Sequence, residues 1–164
     1  MEKSLISFSS IGVIHTPHNS LEQIPIQSSG ATKIIAEIEV FPQYREGLMH
    51  LEGFSHIFLL YHFHKVTTTK LLVKPFLDDS LHGVFATRAP VRPNPIGISV
   101  VELLEVTDSG LIVRGADMLN NTPLLDIKPF IDGVDNPPVQ RSGWLTGKLN
   151  YFREKVSDNR FTQD

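Results

Sequence analysis

Cysteine is absent from this sequence of 164 residues. Its absence excludes disulfides, thiolate nucleophiles and cysteine-based zinc sites, and it agrees with a reducing compartment. Long apolar runs are also missing, since the longest, residues 57–61, is far shorter than the roughly 20 residues of a membrane span. The first ten residues lack the basic start and apolar stretch of a secretory signal. We therefore expect a soluble, cytoplasmic protein that does not associate with membranes.

Several sequence motifs for nucleotide binding and catalysis are missing as well. The sequence contains no G-x-G-x-x-G, no G-x-x-x-x-G-K-[ST], no H-E-x-x-H and no G-x-S-x-G. A nucleotide-like cofactor, if bound, is therefore not held by a Rossmann fold or a P-loop. The formal net charge is −3, so contacts with nucleic acid would depend on local basic clusters rather than on a basic face.

Short β-strands dominate the pattern that is present. Ile34, Ala36, Ile38 and Val40 alternate with polar residues, which is typical of a half-buried strand. We predict strands at 6–15, 32–41, 54–63, 83–87, 98–106, 111–116 and 124–131, with helices at 43–51 and 147–155. The chain has 11 glycines and 11 prolines that separate these elements, which favours a β-sandwich or barrel over a doubly wound sheet. We predict a mainly β, single domain over 1–164, with a core of about 6–135 and a tail at 136–164.

Residues 83–99 form the most unusual segment. Prolines at positions 90, 93 and 95 exclude a helix and make a stiff, extended loop. Arg88 and Arg92 stand on this loop, where a rigid backbone prepares them for a carboxylate or phosphate. Asn94 is a candidate for reading a polar edge, and Gly97 permits close approach of a ligand. The alternative is a surface loop that its prolines merely stiffen.

Two further groups of polar residues are candidates for a site. Asp126 and Lys128 are two residues apart on a predicted strand and share a face, as an exposed ion pair or as the polar wall of a pocket. His62 and His64 also share a face and, with His82, suggest a metal-binding barrel. Because no further ligand is specified nearby, we predict no metal site.

Four segments of the chain match the pattern of a known family. They are I-G-V-I-H-T-P at 11–17, G-F-S-H at 53–56, F-A-T-R-A-P-V-R-P-N-P-I-G-I-S at 85–99 and T-P-L-L-D-I-K-P-F at 122–130. In these the sequence resembles the S-adenosylmethionine-dependent tRNA methyltransferases that act beside the anticodon, in a short, single-domain form. The resemblance implies a small non-Rossmann β-barrel and a homodimer. It also implies a tRNA substrate, methylated at the exocyclic nitrogen of N6-threonylcarbamoyladenosine next to the anticodon.

The resemblance also implies which residues bind S-adenosylmethionine. The matching positions are Gln27, Ser28, Ser29, His64, Lys65, Arg88, Ile98, Asp117, Met118, Leu119 and Asn120. The sequence departs from the usual family pattern at five positions. Lys65 replaces a glutamine of bacterial relatives, and Ala89 replaces a serine. Asn120 and Asn121 replace aspartate and glycine, and Phe130 replaces a tyrosine.

Methyl transfer requires alignment of the acceptor nitrogen, methyl group and sulfur, and it requires no covalent nucleophile. Asp126 or Asp117 is expected to accept the proton of the acceptor nitrogen. Lys128 or Arg92 is expected to hold the threonine carboxylate of the substrate, and Asn94 completes the candidate catalytic set. The alternatives are a cofactor-binding regulatory or adaptor protein without turnover, and a methyltransferase for a different small or nucleotide substrate.

Overall fold

A computed structural model describes residues 4–21, 24–148, 150, 151, 155–158 and 161. Its strands are β1 (Gly12–His15), β2 (Ile35–Val40), β3 (His56–His62), β4 (Leu72–Val73), β5 (His82–Gly83), β6 (Ile96–Val106), β7 (Gly110–Arg114) and β8 (Thr122–Pro129). Six of them close an antiparallel barrel in the order β1-β2-β7-β6-β3-β8, while β4 and β5 pair separately. The predicted small β-barrel is confirmed.

The inward face of the barrel follows the alternation of the sequence. Ala36, Ile38 and Val40 of β2 are buried, and β3 buries Ile57 and Leu59 at the same period of two. Burial of these apolar side chains is the main favourable contribution to the stability of the barrel. The outward neighbours of these residues are exposed or half-buried, so a shift of register by one residue would expose this whole core.

The first strand is shorter than predicted. The prediction over 6–15 was wrong for residues 6–11, because β1 begins at Gly12. Gly12 pairs with Val40, the last residue of β2, and Ile11 still bonds to Phe41 and Leu124, but the described backbone hydrogen bonds include none from residues 4–10. Leu5, Ile6 and Phe8 are apolar but mostly exposed. Apolar composition alone therefore did not mark the start of the strand.

Helical segments in the described part of the chain are all of the 3₁₀ type, at Ser28–Gly30, Pro42–Leu48, Leu51–Gly53, Val84–Ala86 and Gly143–Leu145. The short helix predicted over 43–51 is found as two 3₁₀ segments rather than one helix, because His50 adopts a left-handed backbone at φ 67° and divides them. Within the described ranges no helix is long and apolar enough to cross a bilayer. The helix predicted over 147–155 includes 149 and 152–154, which lie outside the described residues.

A second, smaller core fixes the proline-rich loop. The strand predicted over 83–87 was wrong beyond Gly83, which ends β5, because Val84–Ala86 is a 3₁₀ turn. Val84 packs with Val73, Ala89 and Val91, all nearly fully buried. Lys70 donates its backbone N–H to Val91 at 2.9 Å, which ties the loop to the β4–β5 hairpin. The loop is therefore held by packing as well as by its prolines.

Candidate functional site

A cleft of about 270 Å³ opens where β3, β6 and the segment after β7 meet the proline-rich loop. We call it the main cleft. Its apolar walls include Phe63, Ile96, Ile98, Met118 and Leu119, and its polar or charged lining includes Gln27, Tyr61, His64, Lys65, Thr87, Arg88, Arg92 and Asp117. An apolar enclosure with a few convergent polar groups is the usual form of a small-molecule site.

The floor of the main cleft carries a chain of three hydrogen-bonded side chains. Ser99 donates its hydroxyl to Asp117 Oδ1 at 2.5 Å, and the Tyr61 hydroxyl lies 3.0 Å from Ser99 Oγ. Because the single Ser99 proton goes to Asp117, Tyr61 must be the donor to Ser99. The order is therefore Tyr61 to Ser99 to Asp117, which orients the carboxyl group at the cleft.

The position of Tyr61 depends on Gly97, its cross-strand partner. A Cβ at Gly97 would lie 2.2 Å from Tyr61 Cε2, so only glycine leaves space for this ring against β6. The sequence suggested that Gly97 permits close approach of a ligand. The structure shows that it also permits close approach of a buried aromatic ring, and Gly97 itself lines the main cleft.

The electrostatics of this floor favour a proton acceptor. Burial raises the pKa of the Asp117 carboxyl from 3.8 to about 6, while the Ser99 hydrogen bond and the charge of Arg88 oppose the rise. Burial and the nearby Asp117 charge also raise the pKa of Tyr61 far above its usual value, so Tyr61 remains a donor. A carboxylate whose pKa lies just below neutrality is ionised at pH 7 and retains some basicity.

Arg88 supplies positive charge in the same cleft. Its Nη1 donates to the neutral Gln27 Oε1 at 2.6 Å, and the guanidinium itself is exposed. A guanidinium held by a neutral amide keeps its charge for a ligand anion, to which it can donate two parallel hydrogen bonds. Arg88 therefore marks the part of the cleft that suits a carboxylate or phosphate.

His64 and Lys65 form part of the rim beside the end of β3. Burial, followed by the charge of Lys65 and the proximity of His62, lowers the pKa of His64. His64 is therefore neutral near pH 7, and its ring offers one donor and one acceptor. Lys65 itself is exposed.

Two parts of the chain that are distant in sequence, residues 21 and 24–27 and residues 155–158 and 161, meet over one side of the main cleft. Pro25 and Val156 form an isolated antiparallel bridge, and Ser157 donates its backbone N–H to Ile24 O at 2.7 Å. Phe161 packs edge-on against Phe76 with ring centroids 5.0 Å apart. This pairing brings C-terminal residues to a site that the sequence placed entirely before residue 131.

Most of the chain is similar to known proteins. The model of the tRNA-methyltransferase O N-terminal domain matches residues 13–136. The chain belongs to this family. A probable S-adenosyl-L-methionine-binding protein of Pyrococcus abyssi is 47% identical over 157 residues, covering 96% of this chain and 85% of its own length. That relative is named for S-adenosyl-L-methionine, which is the cofactor that the resemblance predicts.

More distant relatives include named methyltransferases. A tRNA (adenine(37)-N6)-methyltransferase of Rattus norvegicus is 40% identical over 114 residues, covering 68% of this chain but 26% of the rat protein. A crystal structure of TrmO from Pseudomonas aeruginosa is 36% identical with a TM-score of 0.72, covering 86% of this chain and 63% of that chain. The chain thus spans less than two thirds of the matched TrmO structure.

The structure brings together most residues that the family resemblance assigned to the cofactor. Gln27, His64, Lys65, Arg88, Ile98, Asp117, Met118 and Leu119 all line the main cleft. Ser28 lies in the adjacent 3₁₀ turn, Ser29 has only its backbone described, and Asn120 lies beyond the lining. Their roles in binding remain predictions of the tRNA-methyltransferase O pattern.

The predicted catalytic residues divide into two groups. Asp117 and Arg92 line the main cleft, whereas its described lining does not include Asn94, Asp126 or Lys128. Lys128 Nζ lies 2.9 Å from Asp126 Oδ2, and both side chains are exposed by 44% or more. The geometry therefore matches the exposed ion pair, not the wall of this cleft. Asn94 is exposed on the proline-rich loop.

Four of the five departures from the tRNA-methyltransferase O pattern have local structural explanations, and nothing in the structure explains Lys65. Ala89 is buried with valines, where a methyl group packs well. Asn121 has φ 60°, a left-handed conformation that asparagine tolerates better than most residues other than glycine. Asn120 Oδ1 accepts from the backbone N–H of Thr16 at 3.1 Å. Phe130 packs on Phe58 with ring centroids 5.5 Å apart, outside the cleft lining.

Sequence reasoning missed Tyr61 and Ser99, the two residues that orient Asp117. A signal was available for Ser99, because it lies at the same parity in β6 as the buried Gly97 and Val101. A hydroxyl at an inward position of a barrel strand needs a buried partner. The metal-binding alternative gains no support, since the described residues contain no group of three or more His, Cys, Asp or Glu placed to hold an ion.

Proposed function

We propose that this protein is an S-adenosylmethionine-dependent methyltransferase that acts on the exocyclic nitrogen of N6-threonylcarbamoyladenosine next to the anticodon of tRNA. The observation that carries the proposal is Asp117, a carboxyl group of raised pKa aimed at the main cleft by Ser99. A carboxyl group with this pKa can take a proton from an acceptor nitrogen at pH 7, which a transfer reaction requires.

The lining of the main cleft fits the chemistry of S-adenosylmethionine. Arg88 would hold the carboxylate of the methionine part, because its guanidinium is bonded only to a neutral amide among the described contacts. Ile96, Ile98, Phe63 and Met118 offer apolar contact to an adenine ring. The negative charge of Asp117 favours a cationic sulfur or ammonium nearby.

Asp117 then has a defined task in the reaction. When bound, S-adenosylmethionine supplies a methyl group on a cationic sulfur that leaves as a neutral thioether. The acceptor nitrogen lies between a carbonyl and an aromatic ring, so its lone pair is delocalised and loss of its proton makes it a better nucleophile. Asp117 accepts that proton, and Ser99 keeps the carboxylate oriented while it does so.

Access of the substrate fits an anticodon-loop base. Such a base is single-stranded and turns outwards without breaking a duplex. Binding such a base does not require an extended basic face. This agrees with the net charge of −3, which argues against such a face on this chain. The homodimer implied by the resemblance remains a prediction.

The direct test is methyl transfer from radiolabelled S-adenosylmethionine to total tRNA. We compare tRNA from cells with and without N6-threonylcarbamoyladenosine. Label in the modified pool alone is expected, because the carbamoyl group is needed to acidify the acceptor nitrogen. Equal labelling of both pools would contradict the substrate, and labelling that survives removal of RNA would point to a different small acceptor.

The two candidate carboxylate-binding cations can be separated by a matched pair of variants. We expect Arg92→Ala to raise the KM for tRNA about tenfold or more, as for loss of a charge-assisted hydrogen bond. Lys128→Ala should change it less than twofold, because Lys128 is paired with Asp126 outside the main cleft. Steady-state kinetics at saturating cofactor measure both values. A larger effect of Lys128→Ala would indicate that the substrate carboxylate binds at the face of β8 instead.

A second candidate is a cofactor-binding adaptor without turnover. It is favoured by the names of relatives such as the Pyrococcus abyssi protein, which mention binding but no activity. This function predicts binding of S-adenosylmethionine by calorimetry with no label in either tRNA pool. The same two measurements therefore decide between the candidates.

A further inference from the structure

A second cavity, of about 650 Å³, adjoins the main cleft. The two share Ile26, Gln27, Phe76, Thr87, Arg88 and Phe161, so they meet along one wall. The remaining lining of the second cavity includes the aromatic residues Phe85 and Trp144 with Pro75 and Leu77. We call it the aromatic cavity. The family resemblance assigns a role only to the wall residues Gln27 and Arg88, and it assigns none to the remaining lining.

The two aromatic side chains differ in how they are held. Trp144 donates its indole N–H to Ala86 O at 2.8 Å, and its ring stacks on His82 with centroids 4.7 Å apart. Phe85, in contrast, is 74% exposed, and its described ring contact is Arg92, at 6.0 Å from the ring centroid. The Trp144 ring is thus fixed by its hydrogen bond and stacking, whereas the Phe85 ring is exposed to solvent at the edge of the cavity.

Two arginines supply positive charge near Phe85, since Arg88 lies on the shared wall and Arg92 lies near the ring. Near Trp144 the cation is Lys148, which is paired with Asp78 at 2.6 Å. An exposed ring beside an arginine suits a planar, electron-rich aromatic ligand that carries an anionic substituent. An apolar peptide would desolvate the arginines without returning a charge.

We propose that the aromatic cavity receives the acceptor nucleobase, which stacks on Phe85 with its anionic substituent towards Arg92. This inference rests on the proposed function and adds the location of its acceptor site. The two cavities meet along the shared wall at Thr87 and Arg88. The base would stack on Phe85 while its exocyclic nitrogen extends past this wall into the main cleft, which Asp117 lines, because transfer requires direct contact between the nitrogen and the methyl group.

The single tryptophan of the chain provides a signal for this site that does not depend on turnover. Trp144 is the only tryptophan in the sequence and lines the aromatic cavity. With the protein saturated by S-adenosylhomocysteine, we titrate three probes separately. These are the nucleoside N6-threonylcarbamoyladenosine, adenosine monophosphate, and an anticodon stem-loop RNA containing the modified base. Quenching of Trp144 fluorescence by the nucleoside and the stem-loop is the expected result.

Phe85→Ala is the test variant and Phe8→Ala is its matched control. Both phenylalanines are 70% or more exposed, so neither substitution removes core packing, and Phe8 lines neither cavity. Phe85→Ala should weaken nucleoside binding about tenfold, which is the order of one base–aromatic stack. Calorimetry should give the same S-adenosylhomocysteine affinity for both variants and the unmodified protein.

Each outcome bears on the acceptor site separately from the proposed function. Quenching that Phe85→Ala abolishes supports the site even if no methyl transfer occurs. Adenosine monophosphate binding as tightly as the stem-loop supports a nucleobase site but overturns its assignment to RNA. If the stem-loop is methylated yet neither quenches Trp144 nor responds to Phe85→Ala, the acceptor base binds elsewhere and the inference is wrong.

Discussion

Asp117→Asn is expected to lower the rate of methyl transfer at least about 100-fold, the usual contribution of a positioned general base. Asparagine keeps an oxygen that can accept the Ser99 hydroxyl, so the orientation of the side chain survives. What it loses is the ability to take a proton from the acceptor nitrogen. Single-turnover assays with saturating S-adenosylmethionine isolate this step from binding.

Asp126→Asn is the matched control for this variant. Asp126 was the alternative proton acceptor, but it is exposed and paired with Lys128 outside the main cleft. Its replacement should leave the rate within about twofold, as for an exposed ion pair. If Asp117→Asn loses cofactor affinity in parallel with its rate, Asp117 holds the cofactor rather than the proton. A larger effect of Asp126→Asn would reverse the assignment.

The raised pKa of Asp117 also predicts two dependences on pH. Because its pKa is about 6 in the folded protein, the rate should rise with pH through about 6 as the carboxylate forms, and Asp117→Asn should lack this rise. In the unfolded chain the group releases its proton near 3.8. The folded state therefore binds more protons between these values, and stability falls as pH rises from about 4 to about 6.

The size of this change in stability is bounded by the same two pKa values. It is at most about 3 kcal/mol, with 1.36 kcal/mol for each pH unit between them. Denaturant unfolding of the unmodified protein and Asp117→Asn at a series of pH values measures the difference. A constant difference across this range would show that Asp117 ionises normally in the folded state.

Gly97→Ala is expected to damage both the barrel and the main cleft. The added Cβ would lie 2.2 Å from Tyr61 Cε2, and this ring is buried against β6 with its hydroxyl bonded to Ser99. The ring must move, which breaks the chain of hydrogen bonds to Asp117. Overpacking of this kind costs about 1–3 kcal/mol of unfolding free energy. We expect a fall of that size in denaturant unfolding.

The cofactor should respond to the same substitution. Gly97 and Tyr61 both line the main cleft, so a displaced ring intrudes on the space for the ligand. We expect the affinity for S-adenosylmethionine to fall about tenfold or more, measured by calorimetry below the unfolding transition. Gly53→Ala is the control, since a Cβ there would meet no described atom within 4 Å. Unchanged affinity in Gly97→Ala would mean that Tyr61 does not border the ligand.

The barrel was predictable because its strands alternate strongly. In β2 and β3 every second residue is apolar and buried, so period and face could be read directly. Prediction failed where apolar residues lacked a partner strand. Residues 6–11 and 83–87 have strand-like composition, yet the first has no ladder on β2 and the second folds back onto Val73 as a 3₁₀ turn. Composition records local preference, whereas pairing depends on distant segments.

The candidate site shows the same division. The sequence itself determined the stiff loop with Arg88 and Arg92, because proline fixes its own backbone angle wherever it occurs. It also determined the parity that turns Ser99 inwards. The proposal of Asp117 rather than Asp126 as the proton acceptor rests only on the tertiary structure. Both are acidic residues within or beside strands. Only Asp117 is buried next to Tyr61 and Ser99, which lie on two other strands, and this burial raises its pKa.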